Sequence, residues 1–169
     1  MTGKGGYTIE INDRFIEDTI RSVYPAVTQT VAQIELKEPP PRKKRIEAPI
    51  SVVVLSKGIF KSKVVSTFPS LLVDEIVNRM SKNSQLSQED RDAYFKEYIN
   101  MCFGRFISKI NNETGRASRF VIPVMIRGLY RTTTQDNQFS DTARVDFGSD
   151  YGSVNMVVSY DILPEYSSN

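Results

Sequence analysis

Two runs of β-branched residues set almost end to end limit the possible fold more than anything else in the chain. APISVVVLS and IFKSKVVSTF, within Glu47 to Phe68, are separated only by Lys57 and Gly58. Val, Ile and Thr suit a pleated surface, and so short a connection permits only an antiparallel return, so the pair predicts a β-hairpin. A lone hairpin is marginal in water and needs more strands and a covering layer. The rest of the chain supplies both. A helix is expected from a cap at Asn12 or Asp13, with Phe15, Ile16, Ile20, Val23 and Val27 spaced for one buried stripe and Pro25 expected to kink or end it. Ser70 is the expected cap of a second helix, Leu71 to Ser81. Ser87 is that of a long third, running to about Ile110 and broken by Asn111, Asn112 and Gly115. Further strands are expected at Val31 to Leu36, at Arg119 to Ile126 with an interruption at Pro123, and at Thr142 to Phe147 and Ser153 to Ile162 around GSDYG. TTTQDNQ reads as a loop holding Asp136, with Asp141 a second loop acid, and the tails 1–10 and 164–169 are expected to be flexible. The order α-β-β-β-α-α-β-β-β predicts one α+β domain over 1–169, a mostly antiparallel sheet packed with long helices.

Composition removes several classes of function. The chain has 22 basic and 20 acidic residues, a net charge of +2, so no strong field draws it to nucleic acid. The one basic run, Arg42-Lys43-Lys44-Arg45, follows three prolines. The segment 37–46 therefore reads as a solvated Pro/basic linker rather than a phosphate-binding patch. Histidine is absent and cysteine occurs once, which excludes His-containing triads, histidine metal ligands, an internal disulfide framework and a Cys-based structural zinc site. The start MTGKGGYTIE has no apolar signal core, and no run approaches about 18 apolar residues, so a cytoplasmic protein with no membrane partner is expected.

Chemistry concentrates in AYFKEYINMCFGRFISKINNETGRASRFVIP, from Ala93 to Pro123. At about 100° per residue, Phe95, Ile99, Cys102, Phe103, Phe106 and Ile110 gather on one side of a helix. Ala93, Glu97, Asn100 and Gly104 gather nearly opposite. An acid and an amide on an outer face need no function to be there, and the pair E-x-x-N arises by chance in about a third of chains this long. Two further features narrow it. Gly104, on the same face, costs a helix interior about 1 kcal/mol but would let another backbone come close. Pro123 follows Asn100 after 22 residues, inside an apolar run. Cys102, on the apolar side with no histidine anywhere, reads as a core thiol, and Tyr94, Tyr98 and Tyr130 as residues of the core margin.

E-x-x-N, 22 residues, then Pro resembles the signature of the CheC/CheX/FliY phosphatases of bacterial chemotaxis, with Glu97, Asn100 and Pro123 in register. Requiring Pro at one fixed distance makes a chance match about twenty times rarer than the pair alone. The family pattern usually has Ser or Asp four residues before the Glu; Ala93 departs from it. Some members carry a second E-x-x-N on the first helix. Here Glu17 is followed three residues later by Ile20, so the resemblance is to the single-motif CheX branch.

Two groups one turn apart are too few ligands for a metal, and an amide does not titrate and so cannot act as a base. An amide can hold a water against an electrophile that is already activated. The resemblance implies a CheC-like fold and such an electrophile: the aspartyl phosphate of a CheY-type response-regulator receiver, which carries its own Mg²⁺. It implies that Asn100 orients the attacking water and Glu97 pairs with the receiver's active-site Lys, that Pro123 helps set a strand beside the long helix, that this chain needs no cofactor of its own, and that it is a homodimer joined through its sheets. Ala93 and Gly104 would face the partner. Two other readings stand beside this one: a catalytically silent CheX-like module that binds a receiver or dimerises, and an unrelated α+β interaction domain with a coincidental motif. Phosphate decay of a cognate receiver separates the first two. The third depends on whether the Glu97/Asn100 face is open to solvent on a long helix.

Overall fold

A computed structural model describes residues 10–131 and 138–163. Residues 132–137, with Asp136, and the tails except residue 10 lie outside these. In chain order the elements are α1 (Asp13–Ala32), β1 (Pro49–Gly58), β2 (Phe60–Pro69), α2 (Ser70–Met80), α3 (Gln88–Thr114), β3 (Ser118–Phe120), β4 (Val124–Arg127), β5 (Asp141–Phe147) and β6 (Val154–Ile162). The fold is α+β: an antiparallel sheet ordered β3-β1-β2-β6-β5, with β4 also paired to β1. The expected hairpin is its centre, with Val53 opposite Val65. Alternation sorts the faces. Ile50, Val52 and Val54 of β1, Phe60, Val64 and Phe68 of β2, and Met156, Val158 and Tyr160 of β6 are buried in one core with the apolar stripes of the three helices.

Five local expectations are corrected. Pro25 does not end α1, which runs to Ala32 and caps at Gln33 in the left-handed region. Proline costs a helix interior about 3 kcal/mol, but Val27, Thr28 and Ala32 beyond it are buried, and Arg79 donates to the terminal carbonyl of Gln33 at 3.0 Å. The strand expected at Val31 to Leu36 is therefore absent: its first two residues belong to the helix. Ser70 is the first helical residue rather than a cap, since the N-cap of α2 is Pro69 with no side-chain bond. Asp141 opens β5 instead of lying in a loop. Asn111 and Asn112 do not break α3, which continues to Thr114 and caps at Gly115, φ 67°. The Asn111 amide instead mimics a strand partner. Its Nδ2 donates to the Ser118 carbonyl at 3.1 Å and its Oδ1 accepts from the Ser118 amide at 2.7 Å, tying the end of α3 to β3.

β3 and β4 are one edge strand with a bulge. Phe120 lies opposite Ser56 and Val124 opposite Val53, so four steps on the edge strand meet three on β1. The extra residue falls in Val121-Ile122-Pro123, where proline's missing donor costs the ladder nothing.

Candidate functional site

α3 is positioned from three sides. Its underside enters the core through Phe95, Ile99, Cys102 and Phe106. On one flank α1 holds it: Tyr98 and Thr28 share a buried hydroxyl hydrogen bond of 2.7 Å, and Lys109 donates to Ser22 at 2.8 Å. On the other flank the bulged edge strand is fixed at two points. Phe103 meets Phe120 edge-on at 5.2 Å between centroids, and Arg127 donates to both carboxylate oxygens of Asp92 at 2.8 and 3.1 Å. Residues 120 to 127 thus run beside 103 to 92. Pro123, buried, sits between the two anchors.

The remaining side of α3 is its outward face. Glu97 and Ala93 are exposed, and Asn100 and Gly104 are half-buried. Helical spacing puts Glu97 at the crest and Asn100 about 60° round toward the edge strand, with the two Cβ atoms one turn apart, about 5–6 Å. Neither side chain has a hydrogen bond or ion pair among the described residues. Its neighbours are committed: Asp92 accepts from Gln88 and Arg127, and Arg91 pairs with Asp74 at 3.2 Å. A Cβ at Gly104 would meet nothing within 4 Å, so internal crowding does not require that glycine. An acid and an amide without internal partners can turn their full hydrogen-bonding capacity to an incoming molecule.

Cys102 lies beneath this face. Burial pushes its thiol up to about 12, against a smaller lowering by its hydrogen bond with Tyr98, so it stays protonated and inert near neutral pH. Tyr98 is fully buried and Tyr94 partly exposed; Tyr130 receives Lys63 on the opposite side of the sheet. The Asp92–Arg127 pair and the Asn111 clamp, which fix the edge strand beside the site, have no signature in the sequence. Each joins residues on separate elements, so no local spacing announces it.

This arrangement defines a class: a single E-x-x-N helix laid on an antiparallel sheet beside a proline-bulged edge. Among solved structures the fold is that of the CheC/CheX/FliY chemotaxis proteins and is CheX-like. The chain is similar to CheX of Desulfovibrio desulfuricans (19% identity, TM-score 0.69, 86% of this chain and 99% of that one) and to CheX of Vibrio vulnificus (19%, 0.70, 90% and 100%). It is also similar to CheX of Borrelia burgdorferi, solved as a complex of CheX with CheY, BeF₃ and Mg²⁺ (15%, 0.61, 85% and 96%). No sequence-family profile and no curated protein sequence matches.

Proposed function

We propose that this protein hydrolyses the aspartyl phosphate of a CheY-type receiver by inserting Asn100 and Glu97 into the receiver's active site. The observation that carries the reading is the open Glu97/Asn100 face of α3, unpartnered among the described residues, in a CheX-like fold. The Borrelia complex, in which a protein of this fold is bound to CheY, supports the choice of partner. Asn100 Oδ1 accepts a hydrogen bond from water and aims the water's free lone pair at phosphorus. The new P–O bond forms in line as the aspartyl oxygen leaves as carboxylate. Glu97 engages the receiver's active-site lysine and sets the register. Mg²⁺ belongs to the receiver, since one carboxylate and one amide are too few ligands to hold it here. Ala93 and Gly104 flank the pair, small enough for close approach. The reaction places the protein in the cytoplasm, where receivers work; among the described residues no helix is long and apolar enough to cross a membrane.

Two copies joined edge to edge complete the proposal. The edge strand leaves Val121, Ile122 and Val124 exposed, Ile122 to 81%, and a second strand would cover them. Sedimentation equilibrium giving a mass of one chain at tens of micromolar would remove this part and leave the chemistry standing.

The test is the lifetime of a ³²P-labelled CheY-type receiver. Wild-type protein is expected to shorten it, and Asn100→Ala protein to bind the receiver without shortening it. Equal decay with both proteins rejects the role of Asn100. Ala93, where the family pattern has Ser or Asp, favours a second reading in which the receiver is bound but not hydrolysed. Binding of the phospho-receiver by wild-type protein with no acceleration would select it.

A further inference from the structure

The proline-rich basic segment is a strap built onto the sheet on the side away from the helices. Its start is pinned by reciprocal backbone bonds between Lys37 and Gly148 at 2.9 and 2.7 Å, and by the Lys37–Asp150 ion pair at 2.9 Å. Its far end is held where the Ser70 amide donates to the Ala48 carbonyl at 3.2 Å. A Cβ at position 148 would lie 2.9 Å from the Glu38 carbonyl oxygen, so the strap's approach depends on that glycine.

Strap and sheet enclose a concavity of about 290 Å³. Its floor includes Thr67, Asn155 and Asp146, which pair across β2, β6 and β5 on the face opposite the core. Its apolar lining includes Pro39, Pro40, Ile46 and Leu129, the last 64% exposed. Lys43, Lys44 and Arg45 also line it and are exposed, and none has an acidic partner among the described residues. Among the described residues the one acid in the lining, Asp146, already accepts a hydrogen bond from Asn155 at 2.6 Å. Three cations against one anion among the described lining residues give a local charge of +2, as large as that of the whole chain.

We infer that this strap pocket is a docking site for an acidic segment of a partner protein, one apolar side chain entering between the prolines and Leu129 while carboxylates meet Lys43, Lys44 and Arg45. Charge complementarity selects an anionic occupant. The concave apolar wall selects a peptide over a lipid surface, because a bilayer presents no protruding side chain to fill a recess behind a strap. The site lies across the sheet from α3 and does not depend on the proposed chemistry there.

The probe is a fluorescein-labelled acidic octapeptide, DEDLFDEE, read by anisotropy against the full chain at physiological salt. Replacing Lys43, Lys44 and Arg45 together by Gln is expected to weaken binding about tenfold or more, with a shallower salt dependence. Leu129→Ser, or a peptide with both apolar residues replaced by serine, is expected to weaken it about fivefold. Asn100→Ala should leave it unchanged. All these positions are exposed or half-buried, so unaltered thermal unfolding checks that each variant is folded. Equal affinity for the serine peptide would reduce the site to diffuse electrostatics and overturn the inference. So would binding to phosphatidylserine vesicles in place of the peptide. Loss of peptide binding with intact phosphatase activity, or the reverse, tells the failure of one site from that of the other.

Discussion

α1 and α3 lie side by side in one layer, and each carries a glutamate at the start of an E-x-x-X step, but only one step presents an amide outward. On α1, Glu17 is tied to Arg21 at 3.5 Å and the residue one turn on, Ile20, is 1% exposed. On α3, Glu97 has no partner among the described residues and Asn100 is half-open. Both helices bury their apolar stripe equally well. The difference is whether the polar residues beside the stripe are spent inside the molecule or left for another.

The comparison breaks most sharply by writing the motif onto the wrong helix. Ile20→Asn recreates E-x-x-N on α1 but buries an amide among Ile16, Val23 and Tyr24, and should cost about 3 kcal/mol or more, read by urea unfolding, with no gain of phosphatase activity. Asn100→Ala should reduce receiver dephosphorylation about 100-fold, near 2.7 kcal/mol of barrier, while the unfolding midpoint stays put. Glu97→Ala should weaken both receiver affinity and rate about tenfold, whereas Glu17→Ala should change neither. Gly104 sharpens the contrast by opposite signs. Gly104→Ala should stabilise α3 by up to about 1 kcal/mol, because nothing obstructs the new methyl group, while Gly104→Leu should keep that stability and impair receiver binding.

The smallest effect is a pH dependence from the buried face. Cys102 ionises at about 12 in the folded chain against 9.0 unfolded, so its contribution is fully present below pH 9 and is lost as pH rises toward 12. Near pH 9.5 that loss amounts to about 0.8 kcal/mol. Burial raises Tyr24 and Tyr98 as well, and these add to it in the same direction above pH 10. Cys102→Ala should flatten the fall in unfolding free energy between pH 8 and 9.5.

Much of this was legible where the physics is local. The hairpin followed from β-branched density, and the start of α3 from Ser87, which accepts from the Asp90 amide at 3.1 Å; its end was expected about one turn early, at Ile110 rather than Thr114. The placing of Glu97 and Asn100 opposite the core followed from helical period alone. What stayed hidden depended on distant partners. Pro25 is overruled by burial against other elements, Asn111 finds a strand rather than a cap, and the strap is held by Gly148, more than a hundred residues away. A run such as Arg42 to Arg45 shows charge but not the wall it leans on.

The one-residue excess in the edge strand also keeps its two halves in phase. Phe120 and Met125 are five positions apart, an odd number that would send them to opposite sides of an uninterrupted strand, yet both pack on the core. Inserting one further residue among 121 to 123, beyond the single one that the bulge absorbs, would rotate everything downstream by half a pleat, turning Met125 and Arg127 outward and driving Val124 and Ile126 in. Asp92 would lose its arginine, and α3 would lose one of the two rails that hold it.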